Sequence, residues 1–292
     1  MKKFVVIGIG EILWDLLPDG KVLGGAPANF AWHAQQLGSR SSVISAVGHD
    51  DLGQEINDII HHHALHNCMS ISDKPTGTVE VELENGIPRY IIHENVAWDH
   101  ITLTAEALTV LSQADAICFG TLAQRHEISR NAIHQALSLV PDKCLKVFDI
   151  NLRQHWYSEQ VIRDSLEKSD ILKINDEELA IVANMFKIRG AEEDICYNIL
   201  SAYKLKMVAL TKGSVGSLLL TGDNQSYIDT PIVDVIDTVG AGDSFTAALV
   251  AGWLRKESLS SIHDQAVTIS AYVCTQRGAT PVIPHHITDV IV

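Results

Sequence analysis

No Cys-x-x-Cys pair occurs in this sequence, and its five cysteines, Cys68, Cys118, Cys144, Cys196 and Cys274, are widely spaced and odd in number. That excludes a zinc ribbon and a thioredoxin-like couple. Several lie inside apolar runs and read as core residues of a protein kept in a reducing compartment, the cytoplasm. Basic residues are scarce, 22 Lys and Arg against 36 Asp and Glu, for a net charge of −14. So acidic a surface repels nucleic-acid phosphates and anionic membranes, and neither is expected as a partner. It does not forbid an anionic nucleotide, which a local cradle of N–H groups can hold. No apolar stretch approaches transmembrane length. Met1-Lys2-Lys3 followed by Phe4–Ile9 starts like a signal peptide, but Glu11 and Asp15 interrupt it and no small-residue cleavage site follows, so it reads as a buried strand.

Several catalytic signatures are missing too. There is no Gly-x-x-x-x-Gly-Lys-Ser/Thr loop and no protein-kinase signature. Gly8-Ile9-Gly10 follows the first strand, but Leu13 stands where a dinucleotide fingerprint needs its third glycine, and Glu11 and Asp15 would face the pyrophosphate. His61, His62, His63 and His66 cluster, with i,i+4 spacing between His62 and His66. Without a His-Glu-x-x-His arrangement they read as a solvated helix face rather than a zinc site. His285-His286 read as a surface turn after Pro284.

What is present is a sizeable core: 46% of the 292 residues are hydrophobic. Short apolar runs, Phe4–Ile9, Val43–Val47, Ala116–Phe119, Lys146–Ile150, Ile171–Ile174 and Met207–Leu210, alternate with helix-compatible stretches. They lack polar alternation, as strands of a parallel sheet covered on both faces do. The expected class is α/β, in one domain spanning 1–292. Thr78–Leu83 does alternate, turns at Asn85-Gly86 and resumes at Arg89–Ile92, a hairpin with one wet face. Residues 76–95, with 12–17, are expected to form a small β-sheet lid.

Ligands of open parallel sheets bind beyond the carboxyl ends of the strands. There the sequence places Glu11 and Asp15, then Asp149 to Arg153, then Asn175 to Glu178, then Thr211-Lys212-Gly213. Acids, amides, a guanidinium and a glycine thus reach one rim from separate segments.

The strongest local signal is Asp237-Thr238-Val239-Gly240-Ala241-Gly242-Asp243-Ser244-Phe245. Helical spacing of Phe245, Ala248, Leu249 and Gly252 starts a helix near Gly242. Glycines allow close backbone approach, and a helix N-terminus carries free N–H donors and partial positive charge. Together they form an anion hole suited to a transferring phosphoryl group, with Asp243 placed to take a hydroxyl proton. A bare Gly-Ala-Gly-Asp would serve as a helix cap; the nine-residue string goes beyond that. A second signal, Gly24-Gly25-Ala26-Pro27-Ala28-Asn29, opens a helix that Gly38 closes. Its small residues suit either a compact polar ligand or tight helix–sheet packing, and Asn29 offers a donor and an acceptor.

With both motifs in order, the sequence resembles the ribokinase-like (PfkB) carbohydrate kinases, most closely the bacterial fructokinases. The resemblance runs from residue 8 to about 281. It implies a Rossmann-like, mostly parallel sheet with helices on both faces and a β lid over the sugar. It implies transfer of the ATP γ-phosphate to a primary alcohol with Mg2+, D-fructose being the first expectation.

By position, Asp243 corresponds to the catalytic base and Gly240, Ala241 and Gly242 to the anion hole, with Arg153 facing phosphate. Asp15, Gly25 and Asn29 correspond to sugar contacts, and Arg89 and Tyr90 lie in the lid within reach of the sugar. Asn175 and Glu178 match an Asn-x-x-Glu motif tied to nucleotide and water-mediated Mg2+ handling. Thr211, Gly213 and Gly216 fall in the nucleotide loop. A K+ site is implied near Asp237 and Arg277–Pro281. An apolar lid face would allow a homodimer. 2-Keto-3-deoxygluconate kinase and ribokinase remain alternatives, although ribokinase's glutamate has no counterpart after Phe119-Gly120. A sugar-binding sensor without catalysis is the alternative of another class, and the intact Asp243 speaks against it.

Overall fold

In the computed structural model, residues 3–17, 20–84 and 87–288 are described, with the backbone alone over 81–84 and 87–90. The chain runs β1 (Val5–Ile9), β2 (Leu13–Leu17), β3 (Gly20–Gly24), α1 (Ala26–Gln36), β4 (Arg40–Ile44), β5 (Ala46–Gly48), α2 (Asp51–His62), β6 (His66–Asn67), β7 (Ser70–Ser72), β8 (Thr78–Glu84) and β9 (Ile87–Ile92). It continues through α3 (Ala105–Leu111), β10 (Ala116–Phe119), α4 (Glu127–Leu139), β11 (Leu145–Asp149), α5 (Glu159–Glu167), β12 (Ile171–Asn175), α6 (Asp176–Phe186) and α7 (Glu192–Tyr203). It finishes with β13 (Met207–Thr211), β14 (Gly216–Leu220), β15 (Gln225–Asp229), α8 (Ala241–Leu254), α9 (Leu259–Cys274) and α10 (His285–Thr288).

The main sheet has nine strands in the order β15-β14-β13-β12-β11-β10-β1-β4-β6. From β13 to β6 every pairing is parallel, and β14 and β15 add an antiparallel edge. Successive residues of one strand feed opposite cores, which is why the strands read as unbroken apolar runs. Ile7, Ile117, Phe148 and Leu172 join one core. Val6, Ala116, Val147 and Ile171 join the other, beneath Phe30 of α1 and Phe245 and Leu249 of α8.

A separate four-stranded sheet, β3-β2-β8-β9, stands beside the main one. Strands β2 and β8 pair in parallel, and β3 and β9 flank them antiparallel. It joins Leu13–Leu17 to Thr78–Glu84 and Ile87–Ile92 and adds β3, a strand the sequence reading did not single out. Trp14 ties it to α2 by donating from Nε1 to the Leu52 carbonyl at 3.0 Å. At its root Arg125 donates to both carboxylate oxygens of Asp99, at 2.8 and 2.9 Å, and to the His93 carbonyl. The guanidinium lies 3.9 Å from the Trp98 ring centre.

Three local expectations change. Val43–Val47 is not one strand: it breaks at Ser45, whose hydroxyl donates to the Gly10 carbonyl at 2.6 Å, and β5 leaves the main sheet to pair with β7. His66 is not on a helix with His62, because α2 ends there and His66 opens β6. His285 and His286 begin a short helix rather than a turn. All five cysteines are free, and burial pushes the Cys68 thiol up to about 11 and Cys144 and Cys196 to about 12. These three and Cys118 are buried and inert, while Cys274 is half-buried beside the cleft. Among the described residues, no helix is long and apolar enough to cross a membrane.

Candidate active site

Strand β1 delivers Glu11 just beyond its carboxyl end, and β2 carries Asp15. Between β3 and α1, Gly25 has φ +114, and a side chain there would begin 2.4 Å from the Glu11 carbonyl. Only glycine fits that conformation and that approach. Helix α1 then starts with Ala26 and Pro27 and buries Asn29 in its first turn.

Helix α8 packs beside α1 in parallel, first turn against first turn and Arg255 at its end bonded to the Leu37 carbonyl. Its cap, Gly240, has φ +80 and no capping side chain; the Ala241 amide turns back to the Thr238 carbonyl at 3.3 Å, and the amides of Gly242 and Asp243 that follow are left for a ligand. A side chain on Gly240 would begin 2.2 Å from the Ala279 carbonyl. That carbonyl is bonded from behind by the wholly buried His33 at 2.9 Å. The same face of α1 holds the following chain through Gln36, which donates to the Pro281 carbonyl at 3.0 Å and accepts from the Ile283 amide at 2.8 Å. Asp237 accepts from the Val239 amide and the Gly278 amide, both at 3.0 Å, and so joins the two ends of this loop pair.

Asp243 lies in the first turn of α8. Asn29 Nδ2 donates to its Oδ2 at 2.8 Å. Burial pushes its carboxyl up to about 6, and nearby Asp149 adds to this; Asn29, Lys173 and Arg153 oppose it. Part of its surface stays open to the cleft even though protein surrounds it. A carboxylate poised there suits proton removal near neutral pH.

Below α8 lies a buried polar layer. Lys173 Nζ pairs with Asp149 at 3.1 Å, and Thr246 donates to the other Asp149 oxygen at 2.8 Å. The ammonium stands 2.8 Å from where a side chain on Gly242 would begin. Burial opposes its charge, but Asp149, Glu178 and Asp243 outweigh that and hold its pKa above the ordinary lysine value. A fixed cation therefore reinforces the amides of the glycine loop. Glu178 and Asn175 form a capping box at the head of α6. The Glu178 carboxylate also accepts the Leu152 amide at 2.8 Å, and burial shifts it upward.

Asp15, Gly25, Asn29, Arg153, Asn175, Glu178, Thr211, Gly213, Gly216, Asp237, Gly240, Ala241, Gly242 and Asp243 line one cleft of about 1950 Å³. That exceeds the roughly 300–1,000 Å³ of an ordinary ligand site and leaves room for two ligands. Arg153 is exposed, and its charge acts on Glu11, Asp15 and Asp243. The side chains of Arg89 and Tyr90, and the Asn85-Gly86 turn, lie outside the described residues. The lid wall of the cleft carries Val79, Ile91 and Ile92.

Sequence reasoning set Glu11 and Asp149 on the rim without a role and passed over Lys173 altogether. Lys173 had a signal, a lone cation inside the apolar run Ile171–Ile174. Among the described residues, no group of three His, Cys, Asp or Glu is set to hold a metal. The single buried carboxylate of Glu178 fits a hydrated Mg2+ that takes its other ligands from phosphates.

A nine-stranded sheet flanked by helices, a second small sheet and a glycine loop at a helix head define the ribokinase-like kinases. The profile of the pfkB carbohydrate kinases matches residues 19–286, and the chain belongs to that family as an ATP-dependent sugar kinase. A sugar kinase from Pyrococcus horikoshii is 28% identical over 94% of this chain and 91% of its own. Its structure in complex with ATP superimposes with a TM-score of 0.80 at 26% identity, covering 95% of this chain and 94% of that one. Fructokinase-2 of Oryza sativa is 27% identical over 96% of this chain and 91% of its own. The fructokinase of Xylella fastidiosa with bound ATP shares the fold, at a TM-score of 0.87 and 18% identity, covering 99% of this chain and 98% of that one.

Proposed function

We propose that this protein transfers the γ-phosphate of ATP to the primary hydroxyl of a sugar, D-fructose in the first instance, giving fructose 6-phosphate. The observation that carries the reading is the Asp243 carboxylate at the head of α8, held by Asn29 beside the glycine loop Gly240–Gly242. The sugar lies among Asp15, Gly25 and Asn29. Asp243 accepts the proton of its primary hydroxyl, and the oxygen attacks phosphorus as the bond to the ADP oxygen breaks. The amides of the glycine loop, with Lys173 beneath and Arg153 at the acceptor end, stabilise the charge on the transferring group. Asn175, Thr211, Gly213 and Gly216 bind the nucleotide. Glu178 holds Mg2+ through water, and Mg2+ supplies charge neutralisation on the phosphates. Asp237 shapes a K+ site from backbone carbonyls.

The four-stranded sheet acts as a lid that excludes water, which would otherwise compete as acceptor. The whole chain works as one catalytic domain in the cytoplasm, in keeping with its unpaired cysteines. Fructose is favoured by the fructokinases among its curated relatives. A 2-keto-3-deoxygluconate kinase is the second reading, favoured by Arg153, whose exposed cation sits near Asp15 and would suit a substrate carboxylate.

The test is ADP release from ATP and Mg2+, with K+ present, over fructose, ribose, tagatose, 2-keto-3-deoxygluconate and a nucleoside. The highest kcat/KM with fructose supports the first reading, and with 2-keto-3-deoxygluconate the second. Silence across the panel from folded protein would overturn both.

A further inference from the structure

Glu11 stands where β1 opens into the cleft, 3% exposed. The backbone at Glu11 itself and at Ala26, the first residue of α1, favours its ionised form. Its Oε2 is buried and has no hydrogen-bond partner. Leaving a buried carboxyl oxygen unmet costs on the order of 1–3 kcal/mol, so the position is far better satisfied when something fills it. The residue lines the cleft together with Asp15, Gly25 and Asn29, and Gly25 brings the cleft floor down onto the Glu11 backbone.

The surroundings select what can fill it. Asp243 faces Glu11 from α8, so a carboxylate or phosphate placed there meets two acids, with Arg153 the one opposing charge acting on Glu11. An apolar group would leave Oε2 as unmet as before. A neutral hydroxyl, both donor and acceptor, satisfies the carboxyl in either protonation state. Burial pushes Glu11 up to about 7, so both states are populated near neutral pH.

We infer that the Glu11 carboxyl is a sugar contact: a hydroxyl of the bound acceptor meets it, and the contact turns the primary hydroxyl toward Asp243. The inference rests on the acceptor-site reading given under Proposed function. It makes Glu11 a determinant of specificity, favouring neutral polyols over sugars that carry an anionic group at that place.

The test is a cycle between variant and substrate. Wild type, Glu11→Ala and Glu11→Gln are assayed with D-fructose and its 1-, 3- and 4-deoxy forms, or with the monodeoxy forms of whichever sugar the panel selects. Glu11→Ala is expected to raise the KM for the parent sugar roughly 10- to 150-fold, the size of a hydrogen bond to a charged group, with the KM for ATP unchanged. For one monodeoxy sugar, lacking the hydroxyl that Glu11 holds, wild type and Glu11→Ala are expected to agree within about twofold. Glu11→Gln, which keeps a polar atom in place, is expected to restore most of the parent-sugar KM.

An equal loss for every deoxy sugar, or a fall in kcat with KM untouched, would overturn the contact. If the alanine variant fails to fold, Glu11→Met fills the same volume without polar atoms and takes its place in the cycle. Full turnover by Asp243→Asn would instead overturn the acceptor-site reading. Loss of turnover in that variant beside a flat deoxy series would overturn the role of Glu11 alone.

Discussion

Asn29 and Asp243 are 214 positions apart in the chain and share a hydrogen bond of 2.8 Å. It joins the first turns of α1 and α8 and stabilises the ionised form of Asp243 against burial and the charge of Asp149. A base must be ionised to work, so kcat/KM of the wild type is expected to climb with pH through about 6 and level off above it. Asn29→Ala removes an interaction that lowers the Asp243 pKa, so the acid limb of kcat moves to higher pH. The loss is then deeper at pH 6 than at pH 8.5, and a limb that stays in place would dissociate Asn29 from the titration of the base.

Asp243→Asn is expected to lower kcat by roughly 10²–10⁴, the usual scale of general-base catalysis. The same variant should be more stable than the wild type at pH 8. Folded Asp243 titrates near 6 against an ordinary 3.8, so the fold binds that proton more tightly than the unfolded chain does. Stability from this group is therefore fully present below 3.8 and is lost as pH rises through 6. At 1.36 kcal/mol per pKa unit, tempered by its partial exposure, the burden on the wild type is about 2 kcal/mol above pH 6. Urea unfolding of both proteins at pH 8 and pH 4 would show the gap closing in acid.

Gly240→Ala asks a Cβ to stand 2.2 Å from the Ala279 carbonyl at φ +80. Loop strain of this kind costs on the order of 1–3 kcal/mol and moves the amides that face the phosphate. The expected result is a loss of about 10²-fold or more in kcat, comparable with removing one oxyanion donor. Steady-state kinetics at saturating ATP checks it, and near-normal kcat would remove Gly240 from the anion hole.

Arg125→Met leaves Asp99 buried without its guanidinium partner, both side chains being at most 5% exposed. Breaking a buried pair by deleting one member costs about 3–5 kcal/mol. Denaturant unfolding should register a loss of that size. Hydrogen exchange should show the earliest loss of protection near His93, where Arg125 also holds the backbone.

The fold was legible because covered parallel strands cannot hide: Val5–Ile9 and Met207–Thr211 feed both cores and read as unbroken apolar runs. The site was legible where chemistry demanded rare residues together, as at Gly240–Asp243. Strand β3 was not, since Gly20–Gly24 owes its extended form to pairing with β2 rather than to its own side chains. The break at Ser45 rests on one side-chain bond to the distant Gly10, which no local pattern announces. Lys173 looks like an intrusion in a strand until Asp149 is seen across from it, and that neighbour comes from strand pairing. Glu11 differs again: its residue type was visible, while its unmet oxygen is a property of three-dimensional surroundings alone.

The lacing of α1 to residues 279–283 has a consequence for the life of the chain. His33 and Gln36 are made early, and their partners Ala279, Pro281 and Ile283 some 246 residues later. During synthesis at about 5–20 residues per second, the β1–α1 portion leaves the ribosome with that face of α1 uncovered. The glycine loop has the Cys274 carbonyl to hold its start, but Gly240 lacks its neighbour until Ala279 arrives. On the mechanism proposed above, a chain stalled before that point is expected to lack phosphoryl transfer.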